Sequence, residues 1–535
     1  MKGRATSAPL RPAMLVAAFA VAVLASPSVA RAQSEGAGGH AEPAATSPNA
    51  TASPVAGSAD ASPSGAASTS WPAGSKRVVP VASAAPAAGE ATATDASTGR
   101  FEFGSYGRVN VASDGRGGTG RNADIVAFGS RLDEDSYAEL ELRREDKWSG
   151  GIDTRIVTTL ALLPPFFHFS GKPDTTIAVR QLYAQGALDG WTLWGGARMV
   201  RGDDVYLMNF WPLDNQNTIG GGVTKTLASD TQIALHAGMQ RLDNPYQFQE
   251  LPAAIPYGVG ATNITVLDRP RTIETLKVTQ LIRNDAEHVR FTRPGLEKAG
   301  FKAVVYGEAH QISAGARRDT NTNQDVSLPS DTGWMLGSQL TFYTGKRDTF
   351  ATLVMRHARG LAAYDPLAAP DTFANDRTTS GASETRIVLS ENCEIGDWGF
   401  AAAGYLRWFR DAGPSATSLS KYDEGNIVVR PQWYFAEHFG LAVEGSYQAR
   451  RYAVLAPDGS GPLTGCPVRG AVLPNFSPAG RGLFKRPIIG LVYMATSRDS
   501  GARALYPEGD VFGQRRLEHY AGLTVEWWFN SSSYP

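Results

Sequence analysis

The chain has little cysteine, little histidine and almost no net charge, and each shortage removes a class of function. Two cysteines in 535 residues, Cys393 and Cys466, are too few for a disulfide scaffold or a CxxC-type zinc site. One disulfide or two unpaired thiols remain. The eight histidines, His310 and His357 among them, are scattered without metal-ligand spacing. With 51 basic against 52 acidic residues, nucleic acid is not expected as a partner. Beyond the first 25 residues no apolar run is long enough to span a membrane as a helix, and no heptads indicate a coiled coil. Neither a GxSxG elbow nor an HExxH helix occurs. The glycines of Gly115–Gly120 have dinucleotide-site spacing, but such a site needs a helix to begin there. Asp124 to Phe128 read as strand-like instead, so the glycine run is expected to be a hairpin loop. Carboxylates are plentiful, yet none can be paired as acid and base without distances. No enzyme and no cofactor is indicated.

What is present begins with an export signal. Lys2, Arg4 and Arg11 precede an apolar run from Ala13 to Ala25, and small residues lead to Ala30-Arg31-Ala32, the pattern of a secretory signal peptide cut after residue 32. Residues 33–100 are almost entirely Ala, Ser, Pro, Gly and Thr. Such a segment cannot bury enough apolar surface to offset its ordering entropy and is expected to be a disordered tether. The rest carries the marks of strands and turns, in keeping with 57 Gly, 32 Pro and 10% aromatics.

From Phe101 the chain alternates. Phe101, Phe103, Val109 and Val111 take one face, and Glu102, Tyr106, Arg108 and Asn110 the other. Ala138, Leu140 and Leu142 oppose Tyr137, Glu139, Glu141 and Arg143, while Ala521, Leu523, Val525, Trp527 and Phe529 oppose Tyr520, Thr524, Glu526 and Trp528. Alternation alone also fits a soluble sandwich with its apolar side inward. The export signal, the succession of strands without helical segments, the aromatics at strand ends and a last strand stopping on Phe529 favour a transmembrane antiparallel β-barrel. Its apolar face would contact outer-membrane lipid and its polar face would line a lumen. Residues 101–529 hold about 18 strands, with 530–535 as a short tail. Trp148–Gly151 and Asn392–Asp397 read as periplasmic turns, and Ala456–Pro467 as an external loop.

On the polar faces Tyr106, Tyr137 and Trp528 each lie two residues from a charge, Arg108, Glu139 and Glu526 respectively. A ring in a water-filled lumen needs an apolar cover, and the C–H face of a sugar provides one while the charges bond its hydroxyls. The alternative is that these rings pack against loops folded into the barrel.

Several segments, in order, resemble the maltoporin family of sugar-selective trimeric porins. They are Phe103–Arg108; Arg131-Leu132 with Tyr137–Leu142; Trp194–Arg198 through Asp204-Val205 to Asp214; Val429-Arg430-Pro431; Lys485–Ile489; and Gly522–Phe529. The resemblance implies a homotrimer for mono- or oligosaccharides, with an aromatic slide of Tyr106, Tyr137 and Trp528. Phe166 or Phe167 would reach in from a neighbouring subunit. It further implies a polar track of Arg108, Arg131, Glu139, Arg180, Asp204 and Asn209, the last usually Asp in the family. Arg201 lies one position off the family arginine. The loop Arg201–Asp214 would fold inward, with Trp211 in place of the family's constricting tyrosine. No aromatic stands at the slide positions near Ile273–Thr275 and Glu424–Asn426, and the family's early loop disulfide is missing; Cys393 and Cys466 would lie at opposite barrel ends.

The competing readings are a general or anion-selective porin using Arg108, Arg131 and Arg180, a barrel hydrolase with its site at the rim, and an adhesin displaying Arg201-Gly202-Asp203.

Overall fold

The computed structural model describes residues 98–163, 176–283, 299–344, 349–365 and 368–531. The expected signal peptide, most of the tether (33–97), residues 532–535 of the tail, and Phe166 and Phe167 lie outside them.

Among the described residues, 19 strands hydrogen-bond in one sheet. The four-residue Pro462–Gly465 pairs with Phe439–Leu455 as a spur. The other 18 are antiparallel and follow one another in sequence order around a closed barrel. Closure comes from the last strand, Leu517–Phe529, pairing with the first, Thr98–Ser113, in the register Ser105↔Phe529 to Ser113↔Ala521. The first strand begins inside the segment expected to be tether: Thr98 to Arg100 pair with Lys147 to Glu145. Arg100 also makes a guanidinium–carboxylate contact of 2.7 Å with Glu145 on the neighbouring strand.

Alternation resolves into faces, and the faces decide between barrel and sandwich. Leu142 is 61% exposed and Phe101 76%, whereas Glu139, Glu141 and Tyr106 are each 1% exposed. A soluble sandwich buries its leucines and exposes its glutamates; here the order is reversed, as lipid outside and a polar interior require. The strand Trp398–Arg410 gives the scale. Trp398 and Trp408 lie on its outer face with only Phe400, Ala402, Gly404 and Leu406 between them on that face. Ten residues span about 33 Å along a strand, or about 25 Å along the membrane normal at a tilt of roughly 40°, the height of the apolar band. The outer aromatics Trp148, Trp191, Trp398 and Trp433 mark the end with short turns, and Trp334 and Trp408 the end with long loops. Two girdles of this kind sit at the membrane–water interfaces.

The expected periplasmic turns and the expected external loop fall at opposite ends. Cys393, near the turn end of Ser383–Ile395, and Cys466, beside the spur at the loop end, are not joined by a disulfide.

The glycine run forms a tight loop: Ser113 bridges to Thr119, and the Asp114 N–H donates to the Gly118 carbonyl at 3.0 Å. The N–H groups of Arg116 and Gly118 donate to the Asp114 carboxylate and hold its pKa below the ordinary value. Asp124–Phe128, expected to be strand-like, is not a strand. Its Ile125 and Val126 are buried inside the barrel, and its backbone N–H groups find side chains of the wall rather than a ladder. Ile125 donates to Gln448, Ala127 to Glu424 and Phe128 to Tyr405, at 3.0, 3.2 and 3.2 Å.

Candidate functional site

Two loops meet inside the barrel. The first follows Thr98–Ser113; the second, residues 202–214, joins Trp191–Arg201 to Asn215–Thr226. The second is pinched by a Gly202 N–H to Asp214 carbonyl bond of 2.8 Å and a bridge between Val205 and Phe210. Its Asp203 carboxylate lies 2.5 Å from Lys302 Nζ on the wall and accepts a further bond from Gln339; Asp214 is 2.8 Å from Lys277. Asp203 therefore points to the barrel wall and not away from the cell, which removes the basis of the adhesin reading. Leu207, Met208, Phe210 and Leu213 are buried in an apolar cluster with Ile125 and Val126 of the first loop and Val304, Met335 and Val354 of the wall. Phe128 and Phe210 stack at 4.0 Å, tying the loops together.

Asn209 closes a short 3-10 turn, Tyr206–Met208, in the left-handed conformation, φ 48°. Asn enters this region more readily than most residues. Its amide donates at 3.2 Å to Glu134, which also takes Arg108. Asn at this position gives up a charge but fits the backbone. Arg201 lies over the Trp211 ring, 3.6 Å from its centroid. Asp204 is exposed.

The expected slide and track converge on one wall. Register sets Trp528 opposite Tyr106, and Arg108 opposite Tyr137, on three adjacent strands. Glu526 is the hub. It accepts from Arg131, from Arg486 at 2.6 Å and from the Tyr206 hydroxyl at 3.0 Å, with the Tyr106 hydroxyl at 3.3 Å. Arg486 lies 3.8 Å over Trp528 and Arg131 lies 4.2 Å over Tyr206. On the other side Tyr137 donates to Glu139 at 2.5 Å, Glu139 pairs with Arg180 at 2.8 Å, and Tyr137 and Tyr106 are 6.1 Å apart.

Thus Tyr106 and Arg131 meet at Glu526, Trp528 joins them through Arg486 and Tyr206, and Tyr137, Glu139 and Arg180 join through Tyr106; Arg108 and Asn209 meet at Glu134, and Arg201 pairs with Trp211 on the loop. Tyr106 is packed as the alternative described, with 1% of its surface exposed; Tyr137 and Trp528 are half-buried. The cavity beside this hub, lined by Arg108, Arg131, Tyr206, Arg430 and Glu526, measures about 40 Å³. That is room for water and not for a sugar ring.

Sequence reasoning missed Tyr206 and Arg486. Both were in view, the first two residues after Asp204 and the second inside Lys485–Ile489, but nothing in one dimension says that they share a carboxylate. It also missed a basic row on the wall. Register places Arg356 opposite Arg386, and Arg386 opposite Arg407. Glu384 takes all three, with Arg386 at 2.5 Å, Arg407 at 2.7 Å and Arg356 Nε at 2.9 Å. Asp365, on the loop above, is 3.2 Å from Arg386 and 3.4 Å from Arg407. Burial works against the charge of Asp365, but Arg407, Arg386 and Arg356 outweigh it and hold its carboxyl below the ordinary carboxylate range.

A closed barrel with a polar lumen and an inward loop is matched by the family model for LamB porin, over residues 101–529. The chain belongs to the LamB porin family. As a LamB porin it is an outer-membrane channel. Among solved structures it is similar to Pseudomonas aeruginosa OccD3 (OpdP), at 10% identity and a TM-score of 0.40, covering 81% of this chain and 93% of that one. It is also similar to the Vibrio cholerae outer membrane protein OmpT in trimer form, at 10% identity and a TM-score of 0.38, covering 81% and 100%. A third is Pseudomonas aeruginosa OpdK with vanillate, at 11% and 0.37, covering 81% and 98%. No curated protein matches this LamB porin.

Proposed function

We propose that this LamB porin, exported by its signal peptide, passes sugars or oligosaccharides across the outer membrane by facilitated diffusion, as a homotrimer. The observation that carries the sugar reading is the wall on which half-buried Tyr137 and Trp528 stand beside Glu139, Arg180 and Arg486. Apolar faces next to bonded charges suit a solute that is flat and hydroxylated, and serial weak contacts let it leave as readily as it enters. Asp204 and Asn209 would meet solute hydroxyls from the loop, and Trp211 would set the bore. The trimer, and a neighbour's Phe166 or Phe167 in the slide, rest on the family resemblance alone.

One observation favours a second reading, a channel preferring anions. The four guanidiniums of Arg356, Arg386, Arg407 and Arg450 face three carboxylates, Glu384, Asp365 and Glu424, an excess of one positive charge in the cluster. Swelling of liposomes carrying the full chain separates the readings. Neutral sugars are expected to enter faster than carboxylates of equal size; a preference for the carboxylates would replace the sugar reading with the anion one.

A further inference from the structure

The inward loop 202–214 is also met from the turn end of the barrel. At that end the described turns 148–152, 189–190, 227–230, 396–397 and 434–438 hold five residues or fewer, whereas 477–487, between the strands Val468–Phe476 and Ile488–Ser497, holds eleven. Joining two adjacent antiparallel strands takes about two to five residues. The extra length crosses the mouth. Arg481 contacts Asp397 and, at 3.5 Å, Glu437, in two of the short turns. The Leu483 N–H donates to Glu394 at 2.8 Å, and the Phe484 ring stands 6.3 Å from Phe350, whose strand is the fifth before Val468–Phe476 in the barrel order. Gly480 and Gly482, at φ 89° and 135°, allow the bends on either side of Arg481.

The two ends of this segment are held unequally. Asp397 and Glu437, the partners of Arg481, are exposed, and surface pairs of this kind contribute little. The inner end is buried. Leu483 joins the apolar cluster of Leu207, Met208 and Phe210, with Phe484 packed against it. The Phe484 ring meets Tyr206 edge-on, centroids 5.3 Å apart, and Arg486 binds both the Tyr206 hydroxyl and Glu526, the latter at 2.6 Å. Tyr206 is therefore gripped from both ends of the barrel. Arg131 of the first loop donates to its carbonyl at 3.3 Å, while Phe484 and Arg486 hold its ring and hydroxyl from below.

We propose that residues 477–487 are an inner strap that sets the position of the constriction loop through Tyr206, so that conductance is governed from the turn end as well as from the loop end. Phe484 and Arg486 act through Tyr206, as positioning residues. Apolar side chains that narrow a lumen also limit its wetting, so loosening the strap raises the flow of ions. That flow is read with salt alone, and the strap stands whichever solute the channel prefers.

The test is single-channel recording of the full chain in planar bilayers, beside thermal unfolding of each variant in micelles. Phe484→Ala is expected to raise mean conductance about two-fold and to add brief current fluctuations. Its barrel should unfold near wild type, because the strands keep their ladders. Tyr206→Ala should match it. In the double variant conductance should not exceed that of Tyr206→Ala, since residues that act through one contact are not additive. Tyr206→Phe, which leaves no cavity and loses the bond to Arg486, should shift conductance the same way by a smaller factor. A lowered unfolding temperature with wild-type conductance in Phe484→Ala would overturn the proposal and leave the strap a purely structural turn. Increments that add in the double variant would overturn it too, by separating the strap from Tyr206.

Discussion

Glu384→Ala is expected to destabilise the barrel by about 3–5 kcal/mol, the range for removing one partner of a buried ion pair. Glu384 is fully buried and is the shared counter-ion of Arg356, Arg386 and Arg407. Without it three guanidiniums on neighbouring strands face one another with Asp365, and Glu424 beside Arg407, as their remaining nearby carboxylates. The same change makes the lumen more positive, so anion preference should rise even where the barrel still assembles. Urea unfolding in micelles and ion selectivity in planar bilayers measure the two effects. Arg100→Ala, which breaks the exposed contact with Glu145, is the control and should leave both little changed.

Phe210→Ala is expected to have the largest effect on conduction. Its ring is 4% exposed and couples the two inward loops, stacking on Phe128 at 4.0 Å and meeting Tyr405 at 5.8 Å. Removing a buried phenyl group of this kind costs about 3–5 kcal/mol of local packing. The loss falls on the loop, because the strands keep their ladders. The loop 202–214 would then be held by Asp203–Lys302 and Asp214–Lys277 without its apolar anchor. Single-channel recording should show a larger mean conductance and noisier open states, whereas Phe210→Leu, which keeps most of the volume, should stay near wild type.

The parts of this architecture that depend on a period of two were legible in one dimension. Phe101, Leu140 and Leu523 turn outward, and Arg108, Glu139 and Glu526 inward, as alternation requires. Asp124–Phe128 misled because burial inside a lumen leaves the same apolar spacing as a strand, and its N–H partners are side chains almost three hundred or more positions away. The row of Arg356, Arg386 and Arg407 was hidden for a related reason: which residues face one another depends on register across neighbouring strands, and that is set by turns and bulges rather than by any one strand. Tyr106 shows the limit of reading a face. Its strand assigns it to the lumen, but Arg131 from the first loop and Glu526 from the last strand cover it, so the exposed part of the wall is left to Tyr137 and Trp528.

Sugars that pass between the loop 202–214 and the wall of Tyr137 and Trp528, as proposed, must interrupt the ion current while they are bound there. Single-channel recording of the full chain with a panel of neutral sugars, on wild type and Trp211→Ala, tests this most directly. Concentration-dependent interruptions of the wild-type current by at least one sugar are expected, with shorter interruptions and higher conductance in the variant. A current that no sugar interrupts, with a conductance that Trp211→Ala does not change, would contradict the proposal.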